Sequence, residues 1–313
     1  MATPRDRSIY ARRRRNAAAV VALLIAAGVV AAIAAGSDGG ARAPGELAGT
    51  KTRRPDATVA HRCVSVASHA PDGARGHESV PILTYHVILA PPPDAPYPGL
   101  YVTPSLFAAQ MHALAAAGYH AVTLNQVWDN WHHGTPLPAG RPIVISFDNG
   151  YESQYREALP VMRSLGWLGV ENLQLSGLPP SQGGLSRRQV RALICAGWEL
   201  DTQGYSHLDL ATASPAELHF QVAVARQRIR ALYHVHADWF CYPSGQYTDA
   251  VIAAVRAAGF RGSTTVVPGW ANAGEDPYRL PRLRALGTTS PQALLDEIEA
   301  NRSDPPPGPS YVT

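Results

Sequence analysis

The stretch Ile143-Val144-Ile145-Ser146-Phe147-Asp148-Asn149-Gly150-Tyr151 constrains the fold more than any other part of the chain. A short β-branched run with successive apolar residues needs burial on both faces, which a parallel sheet or barrel provides. Such sheets place their chemistry where the strands end, at the C-terminal edge, and Asp148 stands at that edge. A carboxylate there serves as a base, as a metal ligand, or more plainly as a cap for a helix opening near Tyr151. A second segment, Trp198-Glu199-Leu200-Asp201-Thr202-Gln203-Gly204-Tyr205-Ser206-His207, again runs from a short strand into polar residues. Together the two outline one pocket.

From residue 80 onward, short apolar runs alternate with helical patterns, the signature of a parallel α/β architecture. Strands are expected at 81–88, 120–124, 143–148, 168–175, 198–203, 239–242 and 263–267. Helices are expected at 103–118, 125–133, 151–165, 186–197, 214–233, 248–258 and 291–300. Thr103-Pro104, Ser186-Arg187-Arg188-Gln189 and Ser214-Pro215-Ala216-Glu217 supply helix starts, because their hydroxyls accept from the first free backbone N–H groups. About seven strand and helix units predict an α/β fold, a distorted (β/α)7-8 barrel spanning residues 80–301.

The formal charge of the 313-residue chain is +3. Residues 1–16 hold six arginines and one aspartate, a net of +5, so everything after them carries −2. A nearly neutral body excludes a nucleic-acid footprint, which needs clustered basic residues. Arg12 to Arg15 precede an uncharged apolar run at 17–35, long enough to cross a hydrocarbon core of about 30 Å. The basic flank makes residues 1–16 a cytoplasmic tail and 17–35 a transmembrane signal-anchor. A cleaved signal peptide with Ala32-Ile33-Ala34 at its cleavage site is the alternative, and in both cases the body is exported. Residues 36–79 read as a flexible linker and 302–313 as a disordered tail.

Of three cysteines, Cys63 lies in the linker, while Cys195 and Cys241 fall in helix and strand patterns as small buried hydrophobes. A disulfide between Cys195 and Cys241 is the alternative in an oxidising compartment.

Five segments then carry a resemblance: Leu83-Thr84-Tyr85-His86, Ser146-Phe147-Asp148-Asn149-Gly150-Tyr151, Tyr205-Ser206-His207-Leu208-Asp209-Leu210, Phe240-Cys241-Tyr242-Pro243-Ser244-Gly245 and Leu280-Pro281-Arg282-Leu283. In order and spacing, residues 81–286 resemble the polysaccharide deacetylases, the NodB-homology or carbohydrate esterase family 4 group, in the branch whose domain begins with a Tyr-His motif. The resemblance implies a distorted barrel, a divalent metal such as zinc held by one aspartate and two histidines, and removal of acetyl groups from sugar amides or esters. It implies Asp148 as base and His86 as acid. The family's metal ligands map onto Asn149, Gln203 and His207, so only the last keeps its usual chemical form. Two neutral amides in place of a carboxylate and an imidazole weaken zinc binding. Asp201, on the same alternating face as Gln203, is the residue that would compensate.

Tyr242, Pro243 and Gly245 read as a groove wall. The family's arginine of that motif is replaced by Cys241; Arg282 either supplies the missing charge or makes a surface salt bridge. Tyr151, Trp167, Tyr205 and Trp239 are sugar-stacking or core aromatics. The expected activity is metal-assisted deacetylation of an acetylated cell-envelope polysaccharide, with the domain outside the membrane. The alternatives are a glycan-binding pseudo-deacetylase and a structural envelope protein.

Overall fold

The computed structural model describes residues 76–178 and 183–302. The basic tail, the signal-anchor, most of the linker and residues 303–313 lie outside the described residues. Within them, no helix is long and apolar enough to cross a membrane.

The strands are β1 (Val80–Tyr85), β2 (Tyr119–Val122), β3 (Arg141–Asn149), β4 (Val170–Leu173), β5 (Glu199–Thr202), β6 (Trp239–Cys241), β7 (Gly262–Thr264), β8 (Trp270–Ala271) and β9 (Leu283–Arg284). The helices are α1 (Pro104–Ala116), α2 (Leu124–His133), α3 (Leu159–Ser164), α4 (Arg187–Cys195), α5 (Pro215–His219), α6 (Ala225–Tyr233), α7 (Asp249–Ala257) and α8 (Pro291–Ala300). The sheet runs β7-β6-β5-β4-β3-β1-β8. Its pairings are parallel except that of β1 with β8. The parallel α/β expectation thus holds, and expected helices sit where their caps placed them, with Thr103, Ser186, Ser214 and Thr248 accepting from the first turns.

β3 shows why the run had to be buried twice. Val144 packs with Val80, Ile82, Val170 and Trp239 on the inner face, whereas Ile143, Ile145 and Phe147 pack with Phe107, Met111 and Met162 under the helices. Phe147 stacks on Trp198 at 4.8 Å between ring centroids and lies 5.9 Å from Phe107. Alternate side chains point to opposite faces of a strand, so Ser146 and Asp148 continue the inner face.

The segment 280–285, for which no strand was expected, bridges β7 and β1. Leu280 N–H donates to Ser263 O at 3.0 Å, Thr265 N–H to Leu280 O at 2.9 Å, and Arg282 N–H to Val267 O at 2.9 Å. Leu283 then pairs with Leu83 in β1. This short stitch sends Arg282 inward, where it is 3 % exposed. β7 stops at Thr264 instead of Val267 because the chain beyond it bonds to this segment.

Two further expectations are corrected. The long helix over 214–233 is divided by a π-helical turn at Phe220–Val224, and the helix over 151–165 opens with another at Gln154–Ala158. Cys241 is a buried free thiol, so it makes no bond to Cys195. Cys195 itself is exposed on α4 rather than buried.

Glu171 on β4 is 1 % exposed and neither carboxylate oxygen has a hydrogen-bond partner. Burial, reinforced by the charge of Asp148, raises its pKa well above the ordinary 4.5. A raised folded-state pKa stabilises the fold fully below the unfolded value and loses that contribution as pH rises through the folded one. Stability is therefore expected to decline as pH rises above 4.5, and Glu171→Gln should flatten that decline in urea titrations across pH. An unchanged slope would show that Glu171 does not hold its proton.

Candidate functional site

The site gathers at the C-terminal ends of the strands. β1 delivers His86, β3 Asp148 and Asn149, β4 Asn172, β5 Gln203 and β6 Cys241. The stitch after β7 delivers Arg282. Asp148, 2 % exposed, is the hub of the group.

Both Asp148 oxygens are engaged. Arg282 Nη1 donates to Oδ1 at 2.9 Å and Nη2 to Oδ2 at 3.0 Å, a bidentate pair. Asn172 Nδ2 also donates to Oδ1 at 2.9 Å, and the Cys241 thiol approaches Oδ2 at 3.6 Å. Burial alone would raise the carboxyl pKa; the guanidinium, His86 and these hydrogen bonds outweigh it and hold the value at about 2. Arg282 spends its other donors on Thr265 O, Ser146 Oγ and Cys241 Sγ. A guanidinium has five N–H groups, and all five are occupied. Cys241, pushed up to about 12 chiefly by burial, is a neutral thiol wedged between the two ions.

His86 Nε2 lies 3.9 Å from Asp148 Oδ2, with 15 % of its side chain exposed. Burial lowers its pKa to about 4 despite the opposing charge of Asp148, with Arg282, Arg284 and His207 adding to the lowering. Its placement depends on a residue that sequence reasoning passed over. Gln154 Nε2 donates to the backbone oxygens of both His86, at 2.9 Å, and Asp148, at 2.8 Å, tying the base strand to the acid strand from the π-helical turn. Ser153 Oγ accepts from Ile88 N–H at 3.0 Å on the same seam. An S/Q pair in a polar helix start carries no sequence signal for this.

Asn149 takes a left-handed φ of 77°, a conformation asparagine tolerates better than most residues. Gly150 follows at φ 87°, where an added Cβ would meet Leu173 Cδ1 at 2.7 Å. His207, half-buried and also left-handed at φ 51°, lies within the electrostatic reach of Asp148, although burial dominates and lowers its pKa. Gln203 is buried, and its Oε1 has no partner.

These residues do not fit a zinc site. One orphaned amide oxygen, a second amide and one imidazole supply no anion, and the nearby carboxylate has both oxygens committed to Arg282. Among the described residues no three His, Cys, Asp or Glu side chains gather as metal ligands. Structural and catalytic zinc is held by thiolates, imidazoles and carboxylates, and of His207, Asn149 and Gln203 only His207 belongs to that set. Asp201 does not compensate. It faces inward as alternation predicts, one layer deeper, where Oδ1 accepts from the N–H groups of Asp238 at 3.0 Å and Trp239 at 2.9 Å.

Three more expectations change. Tyr242 is wholly buried, stacked on Tyr247 at 4.6 Å with its hydroxyl donating to Tyr278 O; it is a core residue, not groove wall. Pro243 and Gly245 are buried in the turn after β6, where a Cβ on Gly245 would strike Val266 Cγ2 at 2.3 Å, and Ser244 alone is exposed at its tip. Arg282 makes the buried pair, not a surface salt bridge. Trp167 and Trp239 are core, whereas Tyr151 and Tyr205 stay half-buried. Tyr205 leans on Phe220, 44 % exposed, with centroids 4.5 Å apart.

Two cavities lie away from this site. One of about 700 Å³ opens between α5, α6 and α7, and another of about 520 Å³ lies beside α3 and α4; neither is lined by Asp148 or His86.

Comparison with known proteins bears on this geometry. Residues 137–263 match the family model described as polysaccharide deacetylase. YxkH of Bacillus subtilis (strain 168), which carries the polysaccharide deacetylase name, is 24% identical over 221 residues, 71% of this chain and 76% of its own. The poly-beta-1,6-N-acetyl-D-glucosamine N-deacetylase of Escherichia coli (strain K12) is 32% identical over 69 residues, 22% of this chain and 10% of its own. The structure of Streptococcus pyogenes deacetylase PplD in complex with acetate superposes with a TM-score of 0.65 at 24% identity, covering 71% of this chain and 99% of that one.

Proposed function

We propose, from the match of residues 137–263 to the polysaccharide deacetylase family model, that the chain binds an N-acetylated polysaccharide of the cell envelope and removes acetyl groups slowly. The observation that carries this reading is the ionised Asp148 carboxylate facing His86 across 3.9 Å at the sheet rim. Asp148 takes a proton from the attacking water, and His86 gives one to the leaving nitrogen. General acid–base groups of this kind contribute roughly 10²- to 10⁴-fold, while the several kcal/mol that a Lewis acid would add are missing. The half-buried Tyr205 and exposed Phe220 give a sugar ring an apolar face two residues from His207. The N-acetylated class is drawn from the named activity of the Escherichia coli relative.

With His86 near 4, only about one imidazole in a thousand carries the donated proton at pH 7. Acetate release is therefore expected to rise about tenfold per pH unit as pH falls from 7 toward 4. It should be indifferent to chelator and abolished in Asp148→Asn. The assay is acetate released from N-acetylglucosamine oligomers, run beside calorimetric binding. A rate stimulated by zinc, or flat from pH 7 to 4, would overturn the acid–base assignment.

A second reading, glycan binding without turnover, is favoured by the saturation of Arg282, which leaves no donor for a developing oxyanion. Binding with no acetate at any pH selects it; no binding removes the glycan from both readings. The same proposal places the domain outside the membrane, anchored through residues 17–35 or released by cleavage after them, which fractionation of cells into membrane and medium distinguishes.

A further inference from the structure

The two π-helical turns share a construction. Each carries a buried glutamine, and turns of this kind recur inside α-helices at functional sites. Gln154 of the first holds His86 and Asp148 by their backbone oxygens. Gln221 of the second, 5 % exposed, holds the loop that leads to His207. Its Oε1 accepts from Ser206 N–H at 2.9 Å, and its Nε2 donates to Ser206 Oγ at 2.7 Å. One amide thus engages both the backbone and the hydroxyl of a single residue.

We propose that Gln221 is a positioning residue for glycan binding, clamping the loop Gly204–His207 to the π-helical turn so that Tyr205 and Phe220 form one preassembled sugar face. This rests on the glycan-binding reading above and names what builds its apolar face.

The far side of the loop is tied to the chain leaving β4, where Leu175 N–H donates to Gly204 O at 3.2 Å and Ser176 N–H to Tyr205 O at 2.7 Å. Gln221 supplies the tie toward the helices. The approach there is close, because a Cβ at Gly204 would lie 3.3 Å from Gln221 Oε1, and Gly204 takes a left-handed φ of 86°. His207, next along from the clamped serine, is left-handed at 51°, a conformation that persists in a non-glycine residue where its surroundings over-determine it. Phe220 directly precedes Gln221, so the bonds to Ser206 also hold the neighbouring Tyr205 ring against Phe220, with centroids 4.5 Å apart and planes inclined at 45°. Phe220 is exposed and Tyr205 half-buried, which leaves apolar ring surface open to the C–H face of a sugar. A face ordered in advance spares the ordering cost that binding otherwise carries.

The test combines calorimetric affinity of the full chain for N-acetylglucosamine oligomers with amide hydrogen exchange at Ser206. Gln221→Leu should weaken binding about tenfold and speed exchange at Ser206, whose N–H loses its acceptor. Gln221→Glu should keep the native affinity, because a carboxylate accepts from the N–H and from the hydroxyl once that turns to donate. Phe220→Ala should also weaken binding about tenfold. Combined with Gln221→Leu it should cost little more, since both changes act through one face. If Gln221→Leu does not fold, Ser206→Ala removes only the hydroxyl half of the clamp and should still weaken binding about threefold. Additive losses in the double variant, unchanged exchange at Ser206, or native affinity in Gln221→Leu or Ser206→Ala would overturn the positioning role while leaving glycan binding intact. A native chain that binds no oligomer would remove the glycan reading itself, and this inference with it.

Discussion

Arg282→Met should cost about 3–5 kcal/mol of unfolding free energy, the range for breaking a buried ion pair from one side. The guanidinium is 3 % exposed and meets Asp148 through two hydrogen bonds at 2.9 and 3.0 Å. Methionine fills the volume but leaves a carboxylate in the barrel with Asn172, a thiol and the His86 imidazole at 3.9 Å as its remaining partners. Asp148 must then take up a proton, because burial is the largest influence on it and is no longer opposed by the cation. In the native protein the depressed pKa gives stability that is present above the unfolded value of 3.8 and lost as pH falls through about 2. The variant's acid limb should therefore move upward, into the range where the native protein is still fully stable. Asp148→Leu combined with Arg282→Met should recover most of the loss, since an apolar pair of similar volume replaces a buried ion pair at little cost. Urea unfolding of the native protein and the two variants between pH 3 and 8 checks this; a single variant within about 1 kcal/mol of the native protein would mean the pair contributes little.

The role of Arg282 also marks where sequence reasoning reached its limit. The β3 run, the helix caps and the place of Asp148 at the strand end were legible because each rests on local periodicity or a fixed offset, whereas His86 was singled out only through the family resemblance. The two-residue strands β8 and β9 have no measurable period, so the stitch that turns Arg282 inward left no trace in the pattern. Tyr242 misled for a related reason. Its place after a strand suggested a rim, but Cys241, its neighbour, takes the inner face and alternation sends Tyr242 outward under the helices. Gln154 was invisible because its work is done on two backbone oxygens supplied by other strands. Asp201 shows the opposite case: the face was read correctly, while the depth and the backbone donors at β6 were not available from one strand.

Restoring both replaced ligands, Asn149→Asp with Gln203→His, should create the zinc affinity that the native donor set does not support. It should also raise acetate release by about 10²- to 10³-fold, corresponding to roughly 3–4 kcal/mol from a Lewis acid. The backbone is ready for the first change, since aspartate tolerates the left-handed φ of 77° at this position nearly as well as asparagine. Gln203 is already buried with its Oε1 unpaired, so an imidazole there replaces an orphaned oxygen with a nitrogen donor. Each single change leaves two strong ligands counting His207, below the three protein ligands of a catalytic zinc site, and should give little. The double variant should gain steeply rather than additively, and its activity should vanish with chelator while the native rate does not. Zinc binding without a gain in rate would place the defect at Arg282, whose donors are all engaged, by Asp148, Thr265, Ser146 and Cys241, and cannot turn toward an oxyanion. No zinc binding at all would mean that the positive charge of Arg282, held at the base of the site, opposes a divalent cation more strongly than two restored ligands attract it.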